Sequence, residues 1–298
     1  MACLGEAFSD PTIHAPQRHH HTFGEENQNN LLLMPAWSSR AFLGIKVITA
    51  CPGNPAQLKP TIQGTYLLFD AKDGTPLLLC DAKLLTVLRT AATSALAADY
   101  LARKDSKTLL MIGTGSLAPY LVRAHCTVRP IKKVLIWGRN FLKAEQLVDS
   151  LHDLDAKVKA IEHLDEATMK ADIISTATMS SKPLVIGKWV RAGTHVDLVG
   201  SYLPGMREAD DSLMRRANVY VDDLETAFRE SGDLIIPVRK GILRKSQVRG
   251  SLFELCRIET LGRATSSEIT VFKSVGLALE DLAAASLLYK KLQESGKA

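Results

Sequence analysis

The chain has no pair of cysteines at C-x-x-C spacing, and its five cysteines (Cys3, Cys51, Cys80, Cys126 and Cys256) are odd in number. That pattern carries no disulfide framework and fits buried, reduced thiols in a cytoplasmic protein. No apolar run approaches the ~20 residues of a membrane-spanning helix. The opening MACLGEAFSD has neither the basic region nor the apolar core of a secretory signal. Charge of one sign is also modest. The formal net charge is +5, with Lys and Arg scattered rather than blocked. A nucleic-acid partner would call for a basic face with reading residues, and no such motif occurs. The slight positive balance suits an anionic small molecule instead. Four histidines, His14, His19, His20 and His21, fall in one segment without Cys or spaced carboxylates, so no metal site is expected. No Ser/His/Asp or Cys/His spacing suggests a nucleophile, and no internal repeat is evident.

What remains is the composition of a globular protein, 46% hydrophobic and 23% charged over 298 residues, enough chain for one or two domains. Residues 1–35 read as irregular, with HAPQRHHHTFGEENQNN as loop. From Ala41 onward FLGIKVITA, GTYLLFD and PLLLCD are β-rich runs separated by turn residues. Asp73-Gly74 is a hairpin signal, so three or more antiparallel strands are expected between 41 and 81. AKLLTVLRTAATSALAADYLARK then has helical spacing. From about 106 to 270, strand-like runs alternate with helical ones, which predicts a doubly wound parallel sheet. The tail SVGLALEDLAAASLLYKKLQES reads as one long amphipathic helix.

Within the alternating region, LLMIGTGSLAPYLVRA places G-x-G-x-x-A between a predicted strand and a predicted helix. That context gives the pattern its meaning. Gly113 permits the tight turn, Gly115 leaves the backbone bare toward a pyrophosphate, and Ala118 lets the helix pack close to the strand. Thr114, Ser116 and Leu117 complete the turn. Pro119 is tolerated in the first helical turn, whose free N–H groups favour an anion. The second strand ends in Gly138-Arg139-Asn140, where an NAD-specific site would carry an acid for the ribose 2′-OH. Arg139 can pair with a 2′-phosphate through its planar fork, so NADPH is the expected cofactor, with NADH possible. Thr176, Ala177, Thr178 and Gly200, at the ends of the next predicted strands, complete the expected cofactor set.

The segments GIKVITACPGNP, PTIQGTYLLFD, LRTAATSALAADYLA, MIGTGSLA, VDLVGSYLPGMRE and ITVFKSVGLALEDLAAA together resemble the ornithine cyclodeaminase/μ-crystallin family, in order and over nearly the whole chain. The resemblance implies a Rossmann domain over 106–273. A β-rich α+β domain for substrate binding and dimerisation would be formed by 1–105 with 274–298, and the implied assembly is a homodimer. Relative to the family pattern the chain begins late, CLGEAF resembling the middle of a first helix, so one strand of the first domain is expected to be missing.

Three basic residues match family positions that bind a substrate carboxylate: Arg18, Lys46 and Arg89. Lys46 interrupts an apolar strand, so its charge must meet an anion or a protein carboxylate. Arg89, on an Ala/Leu/Thr-rich helix, can clamp a carboxylate with two parallel bonds. A salt bridge or a snorkelling side chain is the structural alternative for both. Two before the proline of VGSYLPGMRE, cyclodeaminases and related alanine dehydrogenases carry an Asp that handles amine and water. Here Tyr202 stands there as a pocket residue. A phenol, with a pKa near ~10, cannot replace that carboxylate at neutral pH. Lys273 and Ser274 match a segment that approaches the nicotinamide, and Asp197 ends a strand as a cofactor neighbour or a structural cap. The resemblance then implies an NAD(P)H-dependent reductase of cyclic ketimine carboxylates, acting on Δ1-pyrroline-2-carboxylate to give L-proline and on Δ1-piperideine-2-carboxylate to give L-pipecolate. The alternatives are a cyclodeaminase, an alanine dehydrogenase or a non-catalytic ligand-binding protein.

Overall fold

The computed structural model describes residues 1–26, 28–39 and 41–296. Asn27, inside the stretch read as loop, and the final two residues of the expected first domain lie outside the described residues. The chain divides into two compact units, Met1–Thr90 with Gly276–Ala298, and Ala91–Val275. The sequence placed these divisions at 105/106 and 273/274. The first instead falls inside a helix, which sequence periodicity marks only as one continuous element.

The first unit opens with α1 (Ala2–Ser9), whose Leu4, Ala7 and Phe8 recur at helical spacing and are buried. Strands β1 (Ile13–His14), β2 (His19–Phe23) and β3 (Asn29–Ser38) follow, then β4 (Phe42–Ala50), β5 (Ile62–Asp70) and β6 (Pro76–Asp81). They form one antiparallel sheet in the order β1-β3-β4-β5-β6, with β2 also paired to β3. The loop reading of 1–35 is thus corrected. The strand β2 is HHHTF, exposed along its whole length at the sheet edge, and such a strand has no apolar alternation to reveal it. The β5–β6 hairpin turns at the expected place, with Gly74 at φ +76° and the Thr75 amide donating to Asp73 Oδ1 at 2.9 Å.

Alternation on this sheet decides where Lys46 goes. Register pairs Lys46 with Met34 on one side and Tyr66 on the other. Met34, Ala36, Tyr66 and Leu68 form a core with Leu85 and with Ala278, Leu282 and Ala285 of the C-terminal helix, Ala278–Glu294. Lys46 therefore points inward. The opposite face carries Pro35, Ile45, Leu67 and Leu79 in one row and Trp37, Leu43 and Phe69 in the next.

The helix α2 (Ala82–Leu101) contains the division between units. In the second unit come β7 (Thr108–Ile112), α3 (Ala118–Val128), β8 (Lys133–Trp137), α4 (Phe141–Asp149), β9 (Lys157–Ala160), α5 (Leu164–Lys170), β10 (Ile173–Thr176), β11 (His195–Leu198), α6 (Asp211–Arg216), β12 (Asn218–Val221), α7 (Leu224–Glu230), α8 (Gly232–Arg239), β13 (Val248–Ser251), α9 (Leu252–Cys256) and β14 (Thr270–Lys273). The eight strands are parallel, in the order β13-β12-β14-β11-β10-β7-β8-β9. Both faces are covered. Along β7, Leu109 and Met111 join one apolar cluster while Leu110 and Ile112 join the other, the mark of a doubly wound sheet. Strand order reverses between β7 and β10, the switch point outside which α/β sheets bind ligands.

Candidate active site

At that switch point the loops after β7, β8 and β10 enclose a cavity of ≈ 290 Å³. It is lined by Gly113, Thr114, Gly115, Gly138, Arg139, Asn140, Ala177 and Thr178 of the expected set, and by Trp137, Lys143, Met179, Ser180 and Leu184 besides. Two glycines of the turn do different work. Gly113 has φ +118°, and a Cβ there would lie 2.6 Å from the Ala177 carbonyl oxygen, so the turn closes against the next loop only with glycine. A Cβ at Gly115 would meet nothing within 4 Å, so protein packing does not demand glycine. Its bareness serves whatever approaches the backbone. The helix α3 begins at Ala118 with Pro119 in its first turn and no side chain capping its N–H groups. Ala118 itself is fully buried in the sheet–helix core. Bare backbone, uncapped helix terminus and switch-point cavity fit a dinucleotide.

The end of β8 carries no carboxylate within the cavity lining. Arg139 and Lys143 line it together. Asn140 caps α4 by accepting from the Lys143 amide at 3.3 Å, which seats Lys143 in the first turn of the helix. Sequence reasoning passed over Lys143, although its place in the turn after Asn140 could have been read from the capping pattern.

The rest of the expected cofactor set is distributed otherwise. Ser116, Leu117, Ala118, Thr176, Gly200, Lys273 and Ser274 do not line the cavity. Lys273 is fully buried, its ammonium 3.8 Å from Asp233 Oδ2. Asp197 is also buried, its Oδ1 accepting from Ser94 Oγ at 3.1 Å and its Oδ2 from Ser175 Oγ at 2.7 Å, with His125 Nε2 3.2 Å from the same Oδ2. It serves as an internal polar tie. Tyr202 lies 40% exposed in the loop after β11, its hydroxyl 3.8 Å from Met179 Sδ. His19, His20 and His21 are exposed on β2, and among the described residues no group of three His, Cys, Asp or Glu could hold a metal ion.

In the first unit Arg18, Lys46 and Arg89 come together, and the C-terminal helix explains how. Its first turn supplies Glu280 and Asp281, both fully buried. Asp281 bridges the cations, with Lys46 Nζ at 2.6 Å and Arg89 Nε at 3.1 Å. Glu280 takes Arg89 Nη1 at 2.6 Å. Arg18 Nη2 donates to the Gly276 carbonyl at 2.5 Å. Gly276 has φ +81°, and a Cβ there would strike the Arg89 guanidinium at 2.5 Å. The salt-bridge alternative for Lys46 and Arg89 is therefore realised, and the carboxylates that hold them were missed because the sequence separates each cation from them by 191 positions or more. Burial pushes the Lys46 ammonium down from 10.5 to about 8, against the attraction of Asp281 and with the help of Arg89 and Arg18. Burial and Asp281 push the neighbouring Tyr66 phenol well above its ordinary value. The cluster is a set of cations oriented in advance, Lys46 and Arg89 by buried carboxylates and Arg18 by a backbone carbonyl.

A doubly wound sheet with a bare glycine turn at its switch point, in a chain that also carries a β-rich unit gathering three basic side chains, defines a dinucleotide-binding α/β protein. The chain belongs to the ornithine cyclodeaminase/mu-crystallin family, whose model matches residues 6–296. A Delta(1)-pyrroline-2-carboxylate reductase of Paracoccus denitrificans is 42% identical over 254 residues, covering 85% of this chain and 80% of that protein. The solved Delta(1)-pyrroline-2-carboxylate reductase of Thermococcus litoralis, in complex with NADH and L-proline, superposes with a TM-score of 0.93 at 36% identity, covering 99% of this chain and 93% of the other. An archaeal alanine dehydrogenase dimer with bound NAD has a TM-score of 0.92 at 31% identity, with 99% and 91% covered.

Proposed function

We propose that this protein is an NAD(P)H-dependent reductase of cyclic ketimine carboxylates, converting Δ1-pyrroline-2-carboxylate to L-proline and accepting Δ1-piperideine-2-carboxylate as a second substrate. The observation that carries the reading is the convergence of three cations whose directions are fixed, Lys46 and Arg89 by buried carboxylates and Arg18 by the Gly276 carbonyl. Such a group suits an anionic carboxylate, since cations held in place lose little freedom on binding it. The names of the reductase relatives agree with it. When bound, the reduced nicotinamide supplies the hydride. Arg89 brings its guanidinium to the substrate carboxylate and Lys46 adds a compact charge. Held so, the ring presents C2 of its protonated imine in one orientation, and the imine nitrogen takes its proton from water. Catalysis on this reading is positioning.

Tyr202 separates the reading from a cyclodeaminase. Its phenol touches Met179 sulfur and has no carboxylate chemistry to offer a departing amine. Arg139 and Lys143 support NADPH over NADH, since two cations at the end of β8 match a 2′-phosphate. We further infer a homodimer built on the outer face of the first sheet. Trp37, Leu43 and Leu79 are 37%, 39% and 67% exposed there within two apolar rows, and a face of that kind calls for a covering partner. The archaeal relative described as a dimer makes a second copy the favoured occupant. Leu79→Lys is expected to yield monomers in light scattering, and a wild type that is monomeric at assay concentration refutes the inference. The activity is tested by NADPH oxidation over a panel of cyclic imines, beside an ammonia assay with L-ornithine. Imine-dependent oxidation without ammonia is expected. Stoichiometric ammonia from ornithine overturns the reading.

A further inference from the structure

Glu208 lies between β11 and α6 and is fully buried. Its carboxylate accepts three short hydrogen bonds. The amide and hydroxyl of Thr178 both donate to Oε1 at 2.7 Å, and the amide of Gly200 donates to Oε2 at 2.7 Å. Thr178 lines the dinucleotide cavity, whereas Gly200 belongs to the loop after the neighbouring strand β11. One side chain thus ties together the loops that leave two adjacent strands. The closeness is real: a Cβ at Gly200 would lie 2.0 Å from the Thr178 carbonyl oxygen and 2.6 Å from Glu208 Oε1.

The backbone around Glu208 holds the far end of the same wall. Its carbonyl accepts from the amides of Leu184 and Val185 at 2.8 and 2.9 Å, and the Arg207 amide donates to the Ser180 carbonyl at 2.7 Å. The wall from Ala177 to Leu184, which borders the cavity on its β10 side, is therefore pinned at both ends by residues 207–208. Glu208 is anchored in turn. Its own amide and that of Ala209 donate to Asp233 Oδ1 at 2.8 and 3.0 Å, and Asp233 faces the buried Lys273. We propose that Glu208 is a positioning residue for the dinucleotide, setting the cavity wall through Thr178 and the register of that wall through Gly200.

The chemistry requires a carboxylate. All three groups aimed at it are donors, and a carboxylate is an acceptor on both oxygens. An amide of the same shape would turn an NH₂ donor toward either Thr178 or Gly200. Burial raises the Glu208 carboxyl above its ordinary value, a cost that the Lys273 ammonium and the surrounding donors partly offset. A wall held this way is rigid before anything binds, which lowers the ordering cost of binding.

The test is a fluorescence titration of NADPH against wild type, Glu208→Gln and Thr178→Val, with the imine KM and the cofactor-free Tm measured on the same samples. Because a hydrogen bond to a charged group is exchanged for a donor–donor contact, Glu208→Gln is expected to raise the NADPH Kd roughly tenfold or more. The imine KM at saturating NADPH should move less than about twofold, since the carboxylate-binding cations lie elsewhere. Thr178→Val removes one of the three donors and should raise Kd by a smaller factor in the same direction. It also keeps the test alive should Glu208→Gln fail to fold. A merely structural Glu208 would lower Tm and leave the Kd of folded protein unchanged, and that result overturns the proposal, as does an equal rise in the imine KM. The inference rests on reading the cavity as the dinucleotide site. A wild type that does not bind NADPH refutes that reading, whereas wild type and variants binding equally well refute the role of Glu208 alone.

Discussion

Lys46 ties the pH range of the enzyme to its own burial. The residue is 2% exposed, and its pKa falls from 10.5 to about 8 because desolvation outweighs the attraction of Asp281. At ~1.36 kcal/mol per pH unit, that fall disfavours the charged form by an amount on the order of 3 kcal/mol. The consequence for stability has a definite sign. An unfolded chain keeps the ordinary value, so between about 8 and 10.5 it binds more protons than the native state and stability rises with pH. Below about 8 both states are protonated and the penalty is present in full. Catalysis runs in the opposite direction. Carboxylate binding needs the ammonium, so kcat/KM for the imine is expected to fall about tenfold per pH unit above pH ~8. Lys46→Arg replaces the titrating group by one that stays charged throughout. Its kcat/KM should be lower at neutral pH, because a fork does not fit the site of a compact ammonium, but the fall near 8 should be absent. The assay is kcat/KM for wild type and variant over pH ~6 to ~10 in a constant-ionic-strength buffer. The same fall in both proteins assigns it to the imine or to another group and refutes the reasoning; a flat wild-type profile does so as well.

Arg89→Ala removes one end of a buried ion-pair network and should lower kcat/KM by the equivalent of ~3–5 kcal/mol; a variant as active as wild type would sink the carboxylate-clamp assignment. Asp281→Asn deprives Lys46 of the charge that raises its pKa, so the fall in kcat/KM should move to lower pH, and an unmoved profile contradicts that coupling. Arg139→Ala should weaken NADPH by ~1.5–3 kcal/mol, the range for a charged hydrogen bond, and leave NADH nearly unaffected; equal losses for both cofactors would show that the residue does not read the 2′-phosphate. Gly113→Ala places a Cβ 2.6 Å from the Ala177 carbonyl oxygen at φ +118°, which should cost ~1–3 kcal/mol, seen as a lowered Tm together with a weaker dinucleotide Kd, and a wild-type Tm would argue against the turn geometry.

Legibility in the sequence followed the range over which each signal acts. The glycine turn was legible because strand, turn and helix are consecutive, and local periodicity marks each of them. The parallel sheet was legible for the same reason, its apolar strands alternating with helices over short intervals. The edge strand β2 was not, since HHHTF is polar and exposed on both faces and looks like loop to any reading by alternation. The family resemblance pointed to Arg18, Lys46 and Arg89. Glu280 and Asp281, the partners of Lys46 and Arg89, went unnoticed because they lie far along the chain and no local pattern links them to either cation. Lys273 shows the converse. Its match to a family segment near the nicotinamide implied a cofactor role, and only the packing reveals Asp233 as the group it faces.

The cationic cluster is assembled from segments on either side of the second unit, with Arg18, Lys46 and Arg89 preceding it and Glu280 and Asp281 following it. Translation therefore delivers the positive charges long before the negative ones. Until the last helix leaves the ribosome, Lys46 and Arg89 have no Asp281 or Glu280 to meet, and burying them would leave uncompensated charge. The interior segment 91–275 is continuous in sequence and can complete its sheet during synthesis. The first sheet must wait with its inner face open to solvent. The helix Ala278–Glu294 is thus a clasp: the inner face of the first sheet cannot close over Lys46 and Arg89 until that helix has been made.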